Sequence, residues 1–169
     1  MTLDTGMKSD RGFDFDKEVV EKALAATIDE VYKRTGKKSI LISRSQGGSP
    51  GWLAPVYTKN IKAIVVIEPG GPAAENSIEY KELLSQKIPI AFYFGDYIEN
   101  GDPKILSTSI WKERLEKCKN FVKKYNDEGG NSVLFKLPKE GIFGNDHFIF
   151  QNLNNDIVAD HVEKWIRGL

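Results

Sequence analysis

Histidine and cysteine are scarce in this chain. Its 169 residues include two histidines, His147 and His161, and one cysteine, Cys118. A single cysteine excludes an internal disulfide. No His, Cys or carboxylate pair stands at ligand spacing on one predicted element, so no metal centre is expected. No Gly-x-Gly-x-x-Gly or Walker sequence follows a predicted strand, so no nucleotide or other cofactor is expected either. Net charge is also missing: 24 Lys and Arg offset 24 Asp and Glu. With no global field and no long basic run, neither nucleic acid nor an anionic membrane is an expected partner. No apolar run approaches the length of a membrane span. Residues Met1 to Arg11 contain no apolar signal core, so the expected location is the cytoplasm.

What is present is an ordinary globular balance of 40% apolar and 28% charged residues, enough for one domain. Residues 1–15 are polar and aperiodic and read as a loose arm; 16–169 read as the domain. From Asp16, a possible cap, Val20, Leu24, Ile28, Val31 and Tyr32 recur at helical spacing up to Gly36. Apolar strand-type runs then occupy 38–44, 62–68, 88–94 and 131–137. Between them come helical patterns around Trp52, over 77–85, and through Trp111, Leu115, Cys118, Val122 and Tyr125. Residues 97–109 read as a polar loop. A last helix from about Asn154 carries Val158, Val162, Trp165 and Ile166. Cys118 falls on an apolar helix face, where packing is its expected role. Continuous apolar strands alternating with helices indicate an α/β fold. About four mostly parallel strands form the sheet, with helices on both faces.

The stretch Ile40-Leu41-Ile42-Ser43-Arg44-Ser45-Gln46-Gly47-Gly48 ends a strand in small-x-Ser-x-Gly-Gly. Such a turn presents a nucleophilic serine above a sheet edge, and it crowds the backbone. Ser43 and Gly47 would supply the small neighbours, with Gly48 adding clearance. The amide of Gln46 would lie at a helix N-terminus, where it can donate to a developing oxyanion.

In parallel sheets the chemistry gathers beyond the carboxyl ends of the strands. Those ends carry Ser45, Glu68 and Asp96, and the fourth strand leads into a loop bearing His147. Acyl transfer needs such a set: a hydroxyl, a base to take its proton, and a carboxylate to orient that base. His161 lies on the last helix, one turn from Ile157 and Trp165, and is expected to border the packed face. His147 is therefore the candidate base. The acid is Glu68 or Asp96; a carboxylate at a strand end can equally bind turn amides.

Several segments together resemble the C-terminal half of α/β-hydrolase-fold bacterial serine esterases. They are Ser43-Arg-Ser-Gln-Gly-Gly, Lys62-Ala-Ile-Val-Val-Ile-Glu-Pro-Gly-Gly, Ile88-Pro-Ile-Ala-Phe-Tyr-Phe-Gly-Asp, Gly141-Ile-Phe-Gly-Asn-Asp-His and Asn154-Asn-Asp-Ile-Val-Ala-Asp-His-Val-Glu-Lys-Trp-Ile. The likeness runs from about Lys37 to Ile166. It is strongest to the subgroup with His-Ser-Gln-Ser/Gly-Gly at the nucleophile, whose acid follows the sixth strand in Val-Glu-Pro-Gly. The resemblance implies an ester hydrolase with Ser45 as nucleophile, His147 as base and Glu68 as acid, and Asp96 as the runner-up acid. Its substrate would be a small-molecule ester.

Two residues depart from that pattern. Arg44 replaces the subgroup's histidine, and Asp146 replaces a small polar residue beside the base. Arg44, Trp52 and Trp111 are candidate pocket residues by position. The family's first strands, and the loop that supplies its second oxyanion donor, have no counterpart in this sequence. The strand at 38–44 would then have an open flank. Either the chain is a piece of a longer hydrolase, or a second copy or complementing chain covers that flank, or the arm at 1–15 folds over it. The alternative function is a truncated, non-catalytic hydrolase remnant that binds or oligomerises. A flavodoxin-like binding domain is a third reading, but no phosphate loop supports it.

Overall fold

The apolar runs form four parallel strands: β1 (Ser39–Arg44), β2 (Ile61–Ile67), β3 (Ile90–Phe94) and β4 (Ser132–Lys136), side by side in that order. The computed structural model describes residues 17–102 and 104–169. The expected arm at 1–15 and the Asp16 cap lie outside the described residues. The helices are α1 (Lys17–Thr35), α2 (Gly48–Tyr57), α3 (Ile78–Ser85), α4 (Leu106–Asp127) and α5 (Asn155–Arg167). Short 3-10 turns occupy Ser45–Gly47, Leu137–Glu140 and Ile149–Gln151.

Strands β2 and β3 lie inside the sheet, and this explains their apolar composition, broken only by the exposed Lys62 near the start of β2. Val65 and Ala91 point to one face while Ile64, Val66, Ile90 and Phe92 point to the other. One face is covered by α1 to α4, with Ile28, Trp52, Leu83, Leu115 and Phe121 in a continuous core. The other face is covered mainly by α5 through Val158 and Val162, with Ile149 and Leu137. Cys118 is fully buried in the first core, and burial pushes its thiol up to about 12. Among the described residues no helix is long and apolar enough to cross a membrane.

Two sequence expectations are corrected here. Helix α1 buries Glu21, Ala25 and Ile28, but Val31 and Tyr32 are exposed. The helix leaves the core after Ile28, and every residue from Asp29 to Lys38 is exposed. The polar loop expected over 97–109 is shorter, because α4 already begins at Leu106. Ser107, Thr108 and Ser109 fill its first turn, and Leu106 is exposed, so the apolar period starts only further along.

Strand β1 is the edge of the sheet, and no described strand pairs with its outer side. Ile42 is 61% exposed there. An apolar groove of about 280 Å³ runs beside it, between Ile42, Ile67, Val162 and Ile166.

Tyr125 ties the helical layer to the sheet. Its hydroxyl, fully buried, lies 2.8 Å from the Leu83 carbonyl and 3.0 Å from that of Ile88, just before β3. Tyr125→Phe keeps the ring but removes the donor. We expect a loss of about 1–2 kcal/mol, read as a lower midpoint in urea with an unchanged slope.

Candidate active site

Parallel register brings the strand ends together. Arg44 pairs with Ile67 and Ile67 with Tyr93, so Ser45 and Glu68 are the next residues along two adjacent strands. Both have left-handed backbones, with φ of 51° at Ser45 and 41° at Glu68. That conformation is uncommon for residues with a side chain and marks a sharp reversal. It lifts the Ser45 hydroxyl out of the strand direction as the chain enters the 3-10 turn. The turn is tied to the following loop by the Gly70 amide, which donates to the Ser45 carbonyl at 3.3 Å.

The expected crowding falls one residue later than the motif indicated. A side chain at Gly47 would meet nothing within 4 Å, whereas a Cβ at Gly48 would lie 3.3 Å from Pro69 and 3.4 Å from Val66. The 3-10 turn points Gly47 outward and brings Gly48 back onto the end of β2.

His147 bridges the two strand ends. Its Nε2 lies 3.1 Å from Ser45 Oγ, and its Nδ1 lies 2.7 Å from Glu68 Oε2. Glu68 is 2% exposed, and the Gly95 amide donates to its Oε1 at 2.8 Å. Burial pushes the Glu68 carboxyl above its ordinary value, against the opposing hydrogen bonds from His147 and Gly95. An ionised Glu68 accepts from Nδ1–H, which leaves the Nε2 lone pair facing the serine hydroxyl. Gly95 is required where it stands: a Cβ there would lie 2.5 Å from the Asn145 carbonyl and 3.1 Å from Glu68 Oε1.

Asp96 stands apart from this chain of hydrogen bonds. Its Oδ2 accepts from the Asn145 amide at 2.7 Å, and its own amide donates to the Asn145 carbonyl at 2.8 Å. It braces the loop that carries His147. Trp111 packs on the imidazole, with ring centroids 4.3 Å apart, and the Arg114 guanidinium lies over the Trp111 ring, 4.4 Å from its centroid.

Trp52 is not at the site. It is 4% exposed, packs on Phe92 and Phe121, and donates from Nε1 to the Gly71 carbonyl at 3.0 Å. Its position on α2 turns it toward the core, where it holds the Pro69–Pro72 turn. Arg44 reaches the His147 loop, with Nε 3.1 Å from the His147 carbonyl. His161 borders the packed face beside Tyr93 and Phe135. Among the described residues no three His, Cys, Asp or Glu side chains group as metal ligands. Phe148 and Phe150, which stack against Arg44, escaped the sequence reading. Their spacing just after the histidine was the available signal.

No family model matches the chain, and no curated protein matches it. Among solved structures it is similar to that of a novel bacterial esterase, with a TM-score of 0.68 and 34% identity. The fold is esterase-like. The match covers 86% of this chain but 40% of the esterase, so the chain spans well under half that protein's length. Over the matched part, the four-stranded parallel sheet and its helices have the α/β-hydrolase arrangement.

Proposed function

We propose that the protein is a serine carboxylic-ester hydrolase working through Ser45, His147 and Glu68. The observation that carries this reading is the unbroken line Ser45 Oγ–His147 Nε2, His147 Nδ1–Glu68 Oε2, at 3.1 and 2.7 Å. In the first step Ser45 Oγ attacks the ester carbonyl as its proton moves to His147 Nε2. Glu68 stabilises the resulting imidazolium, which then protonates the leaving alcohol. Water repeats the sequence in reverse and releases the acid. The Gln46 amide lies in the first turn after the nucleophile, where N–H groups have no intrahelical acceptor, and in this reading it donates to the oxyanion. Similarity to a bacterial esterase supports the same chemistry.

A further strand lying along β1 belongs to this proposal, supplied by a second copy or a complementing chain. Its support is the unpaired edge with exposed Ile42 and the groove beside it. The same edge favours the second reading, a non-catalytic module that binds through this flank.

Labelling with a fluorophosphonate separates the two. We expect one adduct by intact mass, mapped by peptide sequencing to Ser45. No adduct under native conditions, with label appearing on no serine, would favour the non-catalytic module.

A further inference from the structure

Arg44 is the last residue of β1 and the immediate neighbour of Ser45. Its side chain spends its contacts on the segment that carries His147. Nε donates to the His147 carbonyl at 3.1 Å. The guanidinium carbon lies 4.0 Å from the Phe148 ring centroid and 5.0 Å from that of Phe150. One side chain rooted in the sheet thus grips the main chain of the base and two of the next three side chains.

Other ties act on the ring or on neighbouring atoms: Glu68 and Trp111 hold the imidazole, and Asn155 Nδ2 donates to the Phe150 carbonyl at 3.0 Å. Asp96 fixes its entry through the Asn145 amide. Asp146 organises it internally, accepting from the Phe148 amide at 2.7 Å and from Asn152 Nδ2 at 3.2 Å. Ile149 anchors it in the core, but Phe148 and Phe150 are each nearly half exposed. Apolar burial therefore does little to fix those two rings. A planar cation suits the gap because it stacks on an aromatic face while its edge N–H donates to a carbonyl.

We infer that Arg44 is a positioning residue, holding the His147 main chain in register with Ser45 Oγ, rather than a cation that binds substrate. The role rests on the hydrolase reading given above. A bracket acts on the geometry of proton transfer and leaves ground-state binding alone. Its removal therefore lowers kcat and spares KM.

The experiment uses Arg44→Met, which keeps the stem but loses the donor and the cation, and Arg44→Lys, which keeps the charge without the planar face. Hydrolysis of p-nitrophenyl acetate gives kcat and KM, and nitrogen-15 NMR follows the His147 imidazole. For Arg44→Met, kcat should fall by on the order of a hundred-fold with KM little changed, as expected for a misplaced base. Arg44→Lys should recover only part of the loss. The His147 Nδ1–H signal should broaden as its contact with Glu68 loosens. Phe150→Leu, altered on the opposite side of the contact, should shift the same signal in the same direction by less, and it covers the case in which Arg44→Met does not fold.

A raised KM with kcat intact would overturn the inference in favour of substrate binding. An unaltered imidazole signal would overturn it outright. If the unmodified protein neither hydrolyses the ester nor takes up fluorophosphonate, the hydrolase reading falls. The imidazole signal then still decides whether Arg44 holds His147.

Discussion

Ester hydrolysis by the Ser45→Ala variant should collapse toward the rate without protein. Loss of a triad nucleophile removes on the order of a million-fold in kcat where the remaining machinery is complete. Among the described residues the hydroxyl bonds only His147, and Ser45 is half-buried, so the fold should tolerate its removal with little change in thermal midpoint. Initial rates at several protein concentrations, intact mass after fluorophosphonate treatment and a thermal melt check these expectations. An unchanged rate would place the nucleophile elsewhere. A lost rate with label retained would point to a second reactive serine.

Glu68→Gln should lower kcat by on the order of ten-thousand-fold, the usual scale when the orienting carboxylate of such a set becomes an amide. The glutamine still accepts from Gly95 but presents an N–H₂ to His147 Nδ1. The imidazole must then carry its proton on Nε2, where it can no longer accept one from Ser45. Asp96→Asn should cost far less, because an amide oxygen can still accept from the Asn145 backbone. The opposite ranking would make Asp96 the acid.

The same substitution has a stability signature of opposite sign. Burial holds the Glu68 carboxyl above its ordinary value of 4.5, with His147 and Asp146 as the titratable groups nearest to it. The folded protein therefore keeps a proton that the unfolded chain has released. That contribution is present below 4.5 and is lost as pH rises through the folded value. Glu68→Gln cannot lose it. Melting curves from acid to neutral pH should show the variant gaining on the wild type as pH rises, even as its turnover collapses.

The inner strands were legible because Ala63 to Val66 and Ile90 to Phe94 are buried on both sides and apolar throughout. The last turns of α1 were not. Val31 and Tyr32 keep the helical period after the helix has left its partners, and periodicity does not report where a neighbour ends. Ser45, Glu68 and His147 could be named as candidates because each closes or follows a strand. The choice between Glu68 and Asp96 was not open to the residues alone. Both end strands; sheet order puts Glu68 beside Ser45, and Asp96 one strand further away. Trp52 misled because nearness in sequence to Ser45 does not fix which side of α2 it occupies. Arg44 was placed near the site, but its stacking on Phe148 and Phe150 depends on a chain return about a hundred residues later.

The left-handed backbones at Ser45 and Glu68 have an evolutionary consequence. Each such conformation costs roughly 1–2 kcal/mol for a residue bearing a side chain, and glycine would relieve it. Laboratory selection for heat tolerance alone would therefore favour glycine at these two positions, and would trade away the hydroxyl and the carboxylate in doing so. A library meant to harden this protein needs both codons frozen.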